Sequence, residues 1–382
     1  PPHRLMPGAG TASGQSELEF VNPQRGGGAA LIQSFRNVPA GGATDLPGEL
    51  RALPVDIAGA GRMLSLDDWN AFTHGTSLLV LQHGRVVHEW YADGLGPDDV
   101  FLGASMTKSA LAHLVGTALQ SGVLSVEDRV VDHVPELSAS GYSACSVHDL
   151  LTMTSGVDWV EDHRDPKSAA ALLSACFTGE RGHSRALLAG IGPRSAPGTR
   201  FEYCTADSQV LDWVRERATG TAYDMAIGEL WRTLGCTSAA YVGTDSADTP
   251  MAGGGLAATA RDWARIGLLQ LDGMVDGHRV LDESWVEQST RAPYPFLAPG
   301  RLPSTITTHA GFGYHWWPTD ATGRRATADG SRGQFIYVDR DLDLVIVKTS
   351  RWPYDDFLAD RQCRDLSYLG FPEIAREHLE TT

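Results

Sequence analysis

Apolar positions Leu111, Leu114, Val115, Ala118 and Leu119 recur at three- and four-residue spacing and stop at Gly122, which predicts a helix with a left-handed C-terminal stop. Upstream, Ser77-Leu-Leu-Val-Leu-Gln82 and Arg85-Val-Val-His-Glu-Trp-Tyr91 are β-branched and aromatic runs flanking His83-Gly84, the pattern of a two-residue hairpin. From 105 to about 240 the pattern is mostly helical, with segments at 125–135, 146–153, 167–176, 206–218 and 222–234. Thr259 caps a further helix through Leu271 with a stripe at Trp263, Ile266 and Leu269–Leu271, and 283–291 reads as another. Strand patterns return at Gly313–Trp317, Gln334–Val338 and Leu342–Lys348, and 355–380 reads as a terminal helix.

Strands at both ends around a helical middle predict an α/β (α+β) fold: an antiparallel sheet flanked by helices, with an inserted all-helical lobe. The expected division is an extended or loosely packed N-terminal arm over 1–62, rich in Gly, Ala and Pro; an α/β lobe from 63–104 plus about 250–382; and a mainly helical lobe over about 105–249. The lobes are expected to form one catalytic unit.

Composition narrows the function. The chain has 382 residues, 42% hydrophobic and 20% charged, as an ordinary globular protein has. A net charge of −16 opposes binding to nucleic-acid phosphates or anionic lipid, so neither nucleic acid nor membrane is an expected partner. Five dispersed cysteines without a C-x-x-C favour a reducing, cytoplasmic setting, although a start at Pro1-Pro2 without methionine leaves room for a removed leader. Thirteen histidines include no H-E-x-x-H, so neither a metal nor another cofactor is expected.

The candidate chemistry sits at the start of the first helix. A serine and a lysine three positions apart lie one turn apart on one face, so Lys108 can touch the Ser105 hydroxyl, and free helix N–H groups favour a developing oxyanion. The chain holds only three lysines, and Lys108 is the one with a serine three residues before it. Gly103-Ala-Ser105-Met-Thr107 also approaches the G-x-S-x-G elbow of α/β-hydrolases, but its fifth position is Thr and alternating βαβ units are missing. Tyr203, opening the helix after Gly198-Thr-Arg200, suits a third, proton-shuttling partner. Ala326–Gln334 suits an edge strand whose backbone N–H completes an oxyanion hole. Trp159 and Trp316 are candidate pocket walls.

Taken together, Ser105-Met-Thr-Lys108 (S-x-x-K), Tyr203-Cys-Thr205 (Y-x-N), Val147–Gly156 and Gly254–Asp262 resemble the serine β-lactamase/penicillin-recognising superfamily in its class C and esterase branch. Within it, Phe201–Cys204, Gly333-Gln334 and Val345–Pro353 are similar to 6-aminohexanoate-dimer hydrolases. The resemblance implies a β-lactamase/transpeptidase-like fold, Ser105 as nucleophile, Lys108 and Tyr203 as base partners, and the Ser105 and Ser331 N–H groups as oxyanion donors. It also places Thr205, His163 and Gly330 in the substrate site. The chain departs from the pattern in two ways: Thr205 replaces an asparagine, and Ala328-Asp-Gly-Ser331 replaces the lysine-bearing K-T-G, which puts β-lactam turnover in doubt. His163 stands where the dimer hydrolases have a tyrosine. The expected activity is hydrolysis of a small amide or ester through an acyl-Ser105 intermediate. The alternatives are a transacylase making an amide with an amine acceptor in natural-product biosynthesis, and a non-catalytic penicillin-binding-like module.

Overall fold

The computed structural model describes residues 32, 34–42, 44–59, 61–179, 182–353 and 357–377. At its centre is an antiparallel six-stranded sheet in the order Trp317–Pro318, Arg325–Gly330, Gln334–Asp339, Leu344–Ser350, Gly75–Gln82 and Arg85–Tyr91. Its strands alternate between two buried faces, as a period of two requires. Leu79, Leu81, Ile336, Val338, Val345 and Val347 enter one core, while Leu78, Val80, Phe335, Tyr337, Leu344 and Ile346 enter the other. The first core is closed by helix Ala260–Asp272 through Trp263 and Ile266. Its Gly267 lies so close to the sheet that a Cβ there would stand 2.6 Å from Val345 Cγ1. The second face is covered by helix Phe357–Glu377, through Phe371 and Ile374, and by Trp69 of helix Leu66–Phe72.

The expected hairpin is present, with His83 and Gly84 both at positive φ (50° and 69°), the geometry a right-twisted two-residue turn needs. Gly122 ends the first long helix at φ 75°, and the Thr259 side chain accepts the Asp262 N–H at the start of another. Helices Ala169–Phe177, Thr205–Thr219 and Tyr223–Leu234 fall where the periodicity puts them.

Three segments depart from expectation. The strand read over 313–317 is a turn: the Gly313 N–H bonds the Trp316 carbonyl at 2.8 Å, His315 takes φ 57°, and pairing begins only at Trp317. Within 125–135 only Val130–His133 is α-helical, because Asp128 folds back onto the Ser125 N–H and Pro135 starts a separate single turn. A second, four-stranded sheet in the order Ser34–Val38, Ala240–Thr244, Leu256–Thr259 and Val100–Leu102 was not expected. Its first strand lies within the expected arm; residues 1–31 of that arm lie outside the described residues. This small sheet matters because its edge strand Val100–Leu102 leads directly into Ser105.

Candidate active site

The chain leaves the edge strand at Leu102, and the Gly103 N–H is held by the Leu256 carbonyl at 2.9 Å. Ala104 then takes φ 47°, a left-handed conformation costly for a residue with a Cβ. Ser105 follows in the single 3₁₀ turn Ala104–Met106, which runs into helix Thr107–Gln120. The turn is clamped from two sides. The Trp263 ring fills the space where a Gly103 Cβ would stand, and a Cβ on Gly330 would fall 2.3 Å from the Gly103 carbonyl oxygen and 3.0 Å from Met106 N. Strand Arg325–Gly330 thus ends against the serine turn, and Ser331, next in the chain, is exposed there.

Lys108 is 2% exposed, one helical turn after Ser105. Its Nζ lies 3.1 Å from Ser105 Oγ, 3.2 Å from Thr205 Oγ1 and 2.5 Å from the Gly253 carbonyl. Burial pushes its pKa down, and the charge of Glu161 only partly offsets this, leaving it at about 8. Both charge states are therefore accessible near neutral pH.

Tyr203 stands one residue before the Cys204 N-cap of helix Thr205–Thr219. Its ring lies against Trp317, with centroids 5.6 Å apart, and meets Phe312 edge-on at 6.4 Å. Lys108 Nζ sits 5.3 Å from the ring centroid. Burial raises the phenol pKa, and the negative charge of Glu161 adds to this, so Tyr203 stays protonated at ordinary pH.

Thr205 is joined to Lys108 on one side and to Glu161 on the other. The Glu161 carboxylate accepts the Thr205 hydroxyl at 2.6 Å and the Thr205 N–H at 2.9 Å, so it caps a helix from a distant loop. It also accepts the Trp159 indole N–H at 2.6 Å and pairs with His163 Nε2 at 3.0 Å. Burial alone would raise its pKa; the bond and charge of His163, the charge of Lys108 and the Thr205 hydroxyl outweigh that and lower it to about 2.

The structure therefore gathers Ser105, Lys108, Tyr203 and Thr205, sets Gly330 against the serine turn, and brings in Trp159 and His163 through Glu161. Trp316 is not with them: it is fully buried in the core, its ring 5.8 Å from that of His113, because the turn at 313–316 directs it inward and leaves Trp317 beside Tyr203. Two charged residues at the site went unread in the sequence. Glu161 stands 44 positions from Thr205 and is joined to it only by the fold. Arg364, from the terminal helix, pairs with Asp329 at 2.6 Å, and Tyr368 donates to the same carboxylate at 2.9 Å. The acid of the Ala328–Ser331 segment is thus ion-paired and hydrogen-bonded. Among the described residues no three His, Cys, Asp or Glu side chains gather as a metal-ligand set, and no helix is long and apolar enough to cross a membrane. All five cysteines are buried thiols.

Comparison with known proteins identifies the family and the fold. The Beta-lactamase family profile matches residues 70–367. The 6-aminohexanoate-dimer hydrolase of Paenarthrobacter ureafaciens is 32% identical over 305 residues, 78% of each chain. Among solved structures, a Bacillus anthracis protein provisionally named a 6-aminohexanoate-dimer hydrolase superposes with a TM-score of 0.79 at 22% identity, covering 91% of this chain and 92% of that one. A class C beta-lactamase mutant superposes with a TM-score of 0.54 at 17% identity, covering 81% and 92%. An S-x-x-K serine turn at the junction of a helical region and an antiparallel sheet, matched over most of the chain, places this protein in the beta-lactamase family, with the fold of its class C and penicillin-binding members.

Proposed function

We propose that this serine hydrolase cleaves a small amide or ester by forming an acyl-enzyme on Ser105. The observation that carries the reading is the 3.1 Å contact between Ser105 Oγ and a buried lysine whose pKa has fallen to about 8. In its neutral form Lys108 takes the Ser105 proton as Oγ bonds the substrate carbonyl carbon and the carbonyl electron pair moves to oxygen. The N–H groups of Ser105 and Ser331, on the two strand ends that meet at Gly103 and Gly330, are the proposed donors to that oxyanion. Tyr203, protonated, passes its proton to the leaving nitrogen or oxygen as the tetrahedral intermediate collapses and takes the former Ser105 proton from the Lys108 ammonium, so that the phenol is restored and the lysine is neutral again. Trp159, His163, Thr205 and Gly330 are the proposed substrate-side surface. The amide-cleaving relative at 32% identity supports an amide or ester as the class of substrate.

Water resolving the acyl ester makes the enzyme a hydrolase; an amine resolving it makes a transacylase. The test is a chase of the acylated protein with water alone and with a panel of primary amines, quantifying acid against amide. Water is present at roughly 55 M, so majority capture by a millimolar amine requires that amine to be bound and oriented. Free acid as the sole product across the panel leaves hydrolysis as the activity.

A further inference from the structure

The hydrogen-bond directions around Lys108 follow from counting protons. The Thr205 hydroxyl has a single proton. An ionised carboxylate has none to give, so that proton points to Glu161 Oε1, 2.6 Å away. Towards Lys108, 3.2 Å away, Thr205 Oγ1 is therefore an acceptor only. The Gly253 carbonyl, 2.5 Å from Nζ, is an acceptor by nature. A neutral lysine amine carries two N–H bonds and one lone pair. With both N–H bonds taken by Thr205 and Gly253, the lone pair is left for the third neighbour, Ser105 Oγ at 3.1 Å.

We infer that Glu161 is a positioning residue for the base: by fixing the direction of the Thr205 hydroxyl, it turns the lone pair of Lys108 onto Ser105. The inference rests on Lys108 acting as the base of Ser105. Glu161 is suited to the task because it cannot easily swing. Its two oxygens hold the Trp159 indole N–H, the Thr205 N–H, the Thr205 O–H and His163, and Trp159 is itself fully packed. When the Ser105 proton arrives, the lysine becomes an ammonium with three N–H bonds, and the carboxylate's charge stabilises it through one intervening hydroxyl.

The neutral amide in Glu161→Gln has one acceptor oxygen where four donors converged. If its NH₂ faces Thr205 Oγ1, the hydroxyl reverses and donates to the Lys108 lone pair, which is then unavailable to Ser105. If its NH₂ faces the other way, it opposes the Trp159 and Thr205 N–H groups. Thr205→Val removes the hydroxyl while leaving the Glu161 carboxylate and the Thr205 backbone bond in place, and Thr205→Ser keeps the hydroxyl.

The remaining ionisable or charged groups facing Lys108 are Cys204 and Tyr203, from the segment before helix Thr205–Thr219, and His315, from the segment before strand Trp317–Pro318. Burial pushes the Cys204 thiol and the Tyr203 phenol up and the His315 imidazole down, to about 3 in the last case. All three are therefore neutral between pH 6 and 9, and Glu161 supplies the one full charge among the groups facing Lys108.

The test is the single-turnover acylation rate with p-nitrophenyl acetate across pH 5.5–9.5, with folding checked by circular dichroism. Glu161→Gln and Thr205→Val should each slow acylation by roughly 10²-fold, the lower end for a misdirected acid–base group. Thr205→Ser should recover most of what Thr205→Val loses. The double variant should be no slower than the slower single, because one residue acts through the other. The acid limb of Glu161→Gln should move to lower pH, since the ammonium has lost its counter-charge, while that of Thr205→Val should stay near the wild-type position.

Wild-type acylation by Glu161→Gln, multiplying losses in the double variant, or an unmoved acid limb would each overturn the inference. If Glu161→Gln does not fold because the helix cap is lost, equal rates for Thr205→Val and Thr205→Ser would overturn it instead. Lys108→Ala separates the two levels. If it acylates at the wild-type rate, the base assignment itself fails; if it is inactive while Glu161→Gln is unimpaired, only the positioning role fails.

Discussion

The state of Lys108 governs how the rate should depend on pH. Burial lowers its pKa from 10.5 to about 8. At pH 7 an ordinary lysine would be neutral in only about 0.03% of molecules, whereas one titrating at 8 is neutral in about 9%, a gain of roughly 300-fold in competent base. The shift is depressed, so the competent form is lost as pH falls through 8: acylation should drop about tenfold per unit below that point and level off above it. The assay is the pre-steady-state burst with an activated ester, which isolates acylation from deacylation and from product release. Lys108→Arg is the companion perturbation, because a guanidinium keeps its proton throughout this range and cannot act as base. An acylation rate flat from pH 6 to 9, or an active Lys108→Arg enzyme, would refute the reasoning.

Other consequences follow from the same packing. Tyr203→Phe should lower kcat by roughly 10²–10⁴-fold, and combining it with Lys108→Ala should cost far less than the product of the single losses if the two act as one unit; additive losses would reduce Tyr203 to a pocket wall. Gly330→Ala should distort the serine turn, because the added Cβ meets the Gly103 backbone at 2.3 Å, so acylation should fall sharply; a fully active variant would contradict the close approach. Lys348 is fully buried, with its Nζ 3.0 Å from Ser350 Oγ and 4.7 Å from the Trp69 ring centroid, and burial lowers its pKa to about 7. Between about pH 7 and 10.5 the unfolded state binds this proton and the folded state does not, so stability should rise with pH there, by at most ~1.4 kcal/mol per unit from this group. Lys348→Met should flatten that part of a denaturation-versus-pH curve, and an unchanged slope would show that the amine is not neutral when folded.

What the sequence reveals of this site depends on how local each signal is. Ser105 and Lys108 are one helical turn apart, so the spacing carries their contact, and the hairpin 77–91 is legible because two β-branched and aromatic runs around a two-residue turn are a short-range pattern. Trp316 shows the limit of such patterns. A strand read over 313–317 puts Trp316 and Trp317 on opposite faces without saying which face meets the site; the turn found there, with His315 at φ 57°, leaves Trp316 in the core against His113 and Trp317 beside Tyr203. The strands Ala240–Thr244 and Leu256–Thr259 are too short to declare themselves without the partners that the fold supplies. Glu161 left no pattern at all within Val160-Glu161-Asp162-His163. The one hint is chemical: Thr205 stands where a Y-x-N asparagine would present a fixed amide oxygen, and a hydroxyl needs a further acceptor to fix its direction.

The central claim is that Ser105 carries the acyl group, and intact-protein mass spectrometry after brief exposure to an activated ester tests it most directly. The wild-type protein should gain the mass of one acyl group, located by peptide mapping on Ser105, and Ser105→Ala should gain none at the same exposure. An acyl adduct on Ser105→Ala at the wild-type rate, or one mapped to another residue, would contradict the account.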